Sequence, residues 1–241
     1  MSKPLDLFKA GELDKAIGAL GEDLRRNPTD AKNRTFLFEL LCFSGDYARA
    51  EKQLDVLGHA GPHSEMGAVF YRGVLHATKT REDVYPKEKL PPPPESNSAN
   101  IAGGTLNGSP FQRLVDADAR IGASLEVFAA GSYLRIPFSL ISSVEIGSPH
   151  RLRDLLWIPA TIRTTPAFQG RELAETILPA LTPFAAKHSN STVRLGRETV
   201  WEEEKDGGLY PVGQKILLVD DQEIPILDVR KLDFAAAPPI S

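Results

Sequence analysis

Apolar residues recur at helical spacing through the first 85 positions and then, beyond position 104, at the alternate spacing of strands. The first part predicts helices over 4–10, 13–26, 30–43, 47–58 and 64–80; in the third, Phe36, Leu37, Leu40 and Leu41 form one apolar face. In the second part, 124–129 and 132–136 flank Ala130-Gly131 and predict a hairpin. Further strands are expected over 155–164, 175–178, 193–201, 214–219 and 224–229, with Asp220-Asp221-Gln222 turning the last pair. Short strands joined by short turns imply a mostly antiparallel sheet, curled or barrel-like. Helices before it make the chain α+β.

The helical half repeats itself. A shift of 34 residues lays Leu7 on Leu41, Gly11 on Gly45, Ala16 on Ala50, Leu20 on Leu54 and Pro28 on Pro62, and this is the tetratricopeptide period. Two such repeats are fewer than a stack needs, because each hides its apolar face only against a neighbour. Where a third turn glycine would fall stands Lys79-Thr80-Arg81-Glu82, so the array must be finished by something else. Docking of the C-terminal domain on the 64–80 helix is the expected solution; stacking against a second copy, a homodimer, is the other. Residues 1–85 therefore form a tetratricopeptide-like helical domain, 86–104 a Pro/Ser/Asn/Gly-rich linker and 105–241 a β-rich domain. Pro91 to Pro94 favour polyproline II and read as a semi-rigid spacer.

Composition narrows the function classes. At 241 residues, 41% hydrophobic and 25% charged, the chain can bury a core. Residues 1–90 carry 14 Lys and Arg against 14 Asp and Glu, so of the chain's 28 and 32 the remainder holds 14 against 18. No basic cluster exists to displace counterions from nucleic acid or an anionic membrane. One cysteine, Cys42, excludes an internal disulfide framework, and no long apolar run suggests a membrane span. A cytoplasmic protein is expected.

Two phrases set acids beside arginines among apolar residues: Val115 to Gly122, with Asp116, Asp118 and Arg120, and Leu152 to Ala160, with Arg153 and Asp154. Interior carboxylates persist only when paired or multiply hydrogen-bonded, so these five residues read as one structural polar network. The competing reading is a metal-dependent hydrolase or transferase in which Asp116 and Asp118 hold a divalent ion. His59, His63 and His76 do not share a helical face, since Gly61-Pro62 intervenes, and lack further ligands for zinc. Cys42 lies in an apolar run that keeps a thiol inert. Phosphate-cradling, nucleophile-elbow and zincin motifs are absent, and no cofactor is implied. Trp157 and Trp201 fit core anchors.

Paired helical repeats have a use that needs no catalysis: their first helices line a groove that receives a helix or peptide. Counted from the turn glycines, the groove-facing positions are Thr35, Glu39, Cys42 and Phe43, then Met66, Val69 and Gly73. One acid among apolar residues suits a partner helix with Leu or Val on one face and Lys or Arg at its edge. Burial of Phe43 and Val69 under the chain's own second domain is the opposing possibility.

The run from Arg34 to Leu54, the phrases Val115 to Gly122 and Leu152 to Ala160, the run Leu195 to Trp201, Gly213-Gln214 and Asp228 to Arg230 together resemble the ImpE/SciE family, also called TagJ. The likeness spans nearly the whole chain. It implies a cytoplasmic, non-enzymatic accessory protein of bacterial type VI secretion, which binds the N-terminal helix of the small sheath subunit TssB and works alongside the sheath-disassembling ATPase ClpV.

Overall fold

The computed structural model describes residues 3–85, 103–169, 173, 176–203, 208–220 and 222–235. Five helices come first: α1 (Lys3–Lys9), α2 (Leu13–Arg26), α3 (Ala31–Phe43), α4 (Tyr47–Gly58) and α5 (Pro62–Val84). The 34-residue period is visible in the backbone hydrogen bonds. Gly11 N–H donates to the Phe8 carbonyl at 3.0 Å and Glu12 N–H to that of Leu7 at 2.9 Å; Gly45 and Asp46 do the same to Cys42 and Leu41 at 3.2 and 3.0 Å. This closure needs a left-handed residue, which Gly11 and Gly45 supply at φ +80° and +72°. Asp30 and Asp46 then start α3 and α4 by accepting the N–H of Asn33 and Arg49. Helix α5 runs past the expected end at Thr80 because Thr78 and Arg81 are buried, so tertiary packing sustains its last turns.

The β part comprises β1 (Gly104–Leu106), β2 (Ser109–Phe111), β3 (Leu114–Asp116), β4 (Ser124–Ala129), β5 (Ser132–Pro137), β6 (Ile141–Ile146), β7 (Trp157–Thr164), β8 (Thr176–Pro179), the short helix α6 (Ser191–Arg194), β9 (Val200–Glu203), β10 (Leu209–Val212), β11 (Ile216–Val219), β12 (Gln222–Pro225) and β13 (Lys231–Phe234). Eight strands form one sheet in the order β2-β1-β13-β6-β7-β8-β4-β5; β12-β11-β3 and β10-β9 form two smaller ones. The pairings within them are antiparallel. The large sheet ends on β2 and β5 rather than closing as a barrel.

Sequence and structure part at several places. The expected strand over 224–229 ends at Pro225 and continues as a 3-10 turn, Ile226–Asp228. The expected strand over 193–201 opens instead as α6, capped by Asn190, whose side chain accepts the Thr192 N–H; Val193 and Leu195 are buried from it, and a strand begins only at Val200. Strand β1 starts at Gly104, inside the expected linker; the polyproline stretch lies outside the described residues. Trp157 is buried, but Trp201 is 41% exposed on β9 and anchors no core.

Two apolar cores result. One lies within the β part; the other joins the repeats to it, packing Leu40, Phe43 and Leu75 with Phe128, Trp157, Ile177 and Val212. The rings of Phe38 and Tyr71 stand 6.3 and 5.9 Å from that of Trp157. Through α5 and β4–β5 the chain's own sheet finishes the helical stack. At the opposite end, Arg194 makes two bonds to the Asp14 carboxylate at 2.9 and 3.1 Å, and Arg197 donates to the Phe8 and Lys9 carbonyls, holding the first repeat.

A buried charge cluster ties the halves together. Glu126 on β4 accepts Arg81 Nε of α5 at 2.7 Å, Lys215 Nζ at 2.7 Å and the hydroxyls of Tyr85 and Tyr133 at 3.0 and 2.8 Å. Lys215 also pairs with Asp116, and Arg81 donates to the Leu181 carbonyl at 3.0 Å. Burial pushes the Glu126 carboxyl up, but Arg81 and Lys215 outweigh it and hold the group well below the carboxylate range. Replacing Glu126 by Ala leaves the buried Arg81 without an anion and Lys215 with Asp116 alone, and is expected to cost about 3–5 kcal/mol in urea unfolding. A loss below about 1 kcal/mol would show that water enters the junction freely.

Candidate functional site

The inner faces of α1 and α3 leave an open groove of about 500 Å³, lined by Leu5, Phe8, Lys32, Asn33, Thr35, Phe36, Glu39 and Leu152. Positions 32, 35, 36 and 39 are one face of α3 by helical spacing. Phe8 and Phe36 meet edge to face at 5.7 Å and form its apolar wall. Thr35 Oγ1 donates to the Ala31 carbonyl at 2.9 Å, so its hydroxyl is satisfied within α3.

Leu152 arrives from the β part. It opens a 3-10 turn, Leu152–Leu155, fixed by Asp154, whose carboxylate accepts the N–H groups of His150 and Arg151 at 2.9 and 2.8 Å. Arg153 in the same turn lies over the Tyr71 ring at 4.9 Å and reaches Glu39 at 3.9 Å. With Leu156 and Trp157 buried behind it, this turn plugs the middle of the repeat array's inner face. Thr35 and Glu39 remain beside the groove that is left. Phe43 does not: it is wholly buried in the core shared with the β part, so no partner reaches it. Cys42 is buried as well, and desolvation, then the charge of Glu39, pushes its thiol up.

One period further on, Met66 and Val69 of α5 are 67% and 60% exposed. Val69 and Gly73 border a separate hollow of about 280 Å³ against Phe128 and Gly131. The inner face is thus broken into separate openings by the plug and the sheet, where the sequence suggested one trough; a further hollow of about 830 Å³ runs from Phe70 and Tyr71 onto β6 and β7. Leu5, Phe8, Phe36 and Leu152 are groove residues that the reading from α3 and α5 alone did not find; Leu5 and Phe8 lie one repeat earlier, on a helix too short to announce its register.

Of the five residues expected in one polar network, Asp116, Asp118 and Arg120 stay linked, while Arg153 and Asp154 lie apart from them. Asp118 gives both oxygens to Arg120, which donates through Nε at 2.8 Å and Nη2 at 2.7 Å, and the guanidinium lies 4.3 Å over the Tyr210 ring. Asp116 bonds the Asp118 N–H at 2.9 Å and the Lys215 ammonium, joining the Glu126 cluster as well. Arg153 and Asp154 belong to the plug. Lys215 and Glu126 were missed because their partners lie far away in sequence and each sits in an ordinary strand pattern. A divalent ion at Asp116 and Asp118 would have to displace Lys215 and Arg120. Among the described residues no group of three His, Cys, Asp or Glu side chains is arranged to hold a metal ion.

The ImpE protein family profile matches residues 108–233, just over half of the chain. The chain belongs to the ImpE family. A tetratricopeptide-repeat profile matches residues 7–69 of this ImpE protein, over the helices that carry the groove. A relative named "Type VI secretion system accessory component TagJ", from Pseudomonas aeruginosa, is 34% identical over 260 residues, covering 95% of this chain and 90% of its own. The crystal structure of protein VPA1032 from Vibrio parahaemolyticus shares the fold, at a TM-score of 0.83 and 24% identity over 97% of both chains. Both acid–arginine phrases of ImpE fall within 108–233, so the segment characteristic of the family contains the plug and the partners of α5, while the groove itself is built mainly by the repeats.

Glu39 is the unusual group of the groove. Burial raises its carboxyl from 4.5 to about 7; the positive charge of Arg153 opposes this and the negative charge of Asp154 adds to it. The folded protein therefore holds this proton more tightly than the unfolded chain. The stability it confers is complete below about 4.5 and declines as pH rises to about 7, staying lost above that. Glu39→Gln is expected to raise unfolding stability by about 1–3 kcal/mol at pH 8 and to leave it unchanged at pH 4. Urea denaturation across that range checks it; a difference independent of pH would contradict the assignment.

Proposed function

We propose that this ImpE protein is a non-enzymatic, cytoplasmic accessory component of type VI secretion whose α1–α3 groove holds an amphipathic helix of a partner protein, the N-terminal helix of the small sheath subunit being the occupant that the family resemblance suggests. The reading rests on one observation above others: the groove is open, walled by Leu5, Phe8, Phe36 and Leu152, and carries Glu39 as its acid. Apolar anchors about one helical turn apart would seat against Phe8 and Phe36, and the acid would set the register. In this view the acid–arginine phrases are scaffold: they place the plug that shapes the groove and clamp α5, and the aspartates perform no chemistry. Among the described residues no helix is long and apolar enough to cross a membrane. Work alongside a ClpV-type ATPase would follow from holding the sheath subunit at the moment of disassembly.

The test is calorimetric titration of the full-length protein with a synthetic peptide of that sheath helix. Phe36→Ser removes a wall of the groove and is expected to weaken binding tenfold or more, by about 1.4 kcal/mol or above. Met66→Ser, on the far side of the plug, is expected to change nothing. Unaltered affinity in a folded Phe36→Ser protein would dismiss the groove; loss of binding in Met66→Ser alone would move the site to α5.

A further inference from the structure

Glu39 stands among the groove's lining as a buried carboxylate, 8% exposed, with its nearest cation 3.9 Å away. Its surroundings are asymmetric. The groups that face it are Arg153, Arg151 and Asp154 from the plug, with Tyr71 of α5 and Cys42 of α3 as neutral neighbours. Arg153 is engaged over the Tyr71 ring, and Asp154 is spent on the backbone of its own turn. Lys32, the cation of the lining itself, lies two helical turns away toward the other end of α3. On the open side, Glu39 has apolar walls and solvent. A helix seated on Phe8 and Phe36 would exclude that solvent and leave the ionised carboxylate with Arg153, at 3.9 Å, and the Arg153 backbone N–H as its remaining partners; a Lys or Arg on the incoming surface would complete that weak pairing.

We infer that the groove selects a helix bearing a Lys or Arg side chain at Glu39, and that docking exchanges a proton on Glu39 for that cation, so that capture of the partner is coupled to pH. The inference rests on the groove being the partner site. In the exchange the neutral carboxyl releases its proton to solvent and the resulting carboxylate pairs with the partner's ammonium or guanidinium; no other group changes charge. The raised position of the free carboxyl, about 7, puts this exchange in the physiological window. Linkage then requires affinity to climb with pH through that window and level off above it.

The same peptide and the full-length protein serve as the test, by calorimetry in two buffers of different ionisation enthalpy from about pH 6 to about pH 8. Wild type is expected to release nearly one proton per complex near pH 6 and little near pH 8, with affinity rising about tenfold between them. In Glu39→Gln, release and pH dependence disappear, and affinity at pH 8 falls about tenfold or more. Replacing the peptide's basic residue by Met reproduces that loss in wild type and adds nothing in Glu39→Gln. Binding that is sensitive to Phe36→Ser but flat in pH, with equal affinity in Glu39→Gln, would overturn the proton exchange while leaving the groove standing. Failure of the peptide to bind, or indifference to Phe36→Ser, would overturn both.

Discussion

The pairing of Arg81 with Glu126 is the contact on which the arrangement depends. Arg81 leaves the last full turn of a helix that began as part of a repeat array; Glu126 projects from the middle of a strand in another architecture. Burying either ion alone would cost several kcal/mol, and the cluster avoids that by matching two cations, Arg81 and Lys215, to two anions, Glu126 and Asp116, with two tyrosine hydroxyls completing the bonds to Glu126. Such a set tolerates little displacement, because its bonds hold only when all members are in place. It therefore holds α5 in one orientation against the sheet, where apolar packing alone would accept a range of slides.

With α5 held, the other features follow in order. Tyr71 comes to face Trp157, and the turn beginning at Leu152 enters the inner face of the array as an internal ligand. Helical repeats of this kind expose a concave surface because nothing in the repeat itself fills it. Here the chain fills the centre and leaves the ends. The end bounded by α1 and α3 keeps apolar walls and one acid, and it is formed by both halves of the chain, since Leu152 closes it and Arg153 stands behind Glu39. A groove assembled this way is only as rigid as the junction beneath it. This links the buried cluster to the shape of the groove without assigning it any chemistry.

Much of this was legible in the residues. The helices lie close to where periodicity puts them, since amphipathic spacing, turn glycines and aspartate caps act within a few positions of one another. The hairpin β4–β5 was readable for the same reason. By contrast, β1 and β2, which turn on Asn107-Gly108, both at positive φ, were not expected as strands, because each is only three residues long and shows no alternation to read. The alternation around Val193 and Leu195 fitted strand and helix equally over so short a span, and the Asn190 cap settled it. The acid–arginine phrases correctly announced paired charges but not the pairs. Asp118 found the arginine two residues on, whereas Asp116 found Lys215, about a hundred positions away.

The sequence by itself determined the repeat period, the helix boundaries set by local caps and turns, and the requirement that its interior charges be matched. Those outcomes are governed by interactions between near neighbours. Only the tertiary structure decided that Lys215 rather than an arginine answers Asp116, that Phe43 is sealed inside while Thr35 and Glu39 stay beside an opening, and that one trough becomes separate openings. Each of these depends on how two separately patterned surfaces meet, and burial, dielectric and the raised proton affinity of Glu39 exist only once they have met.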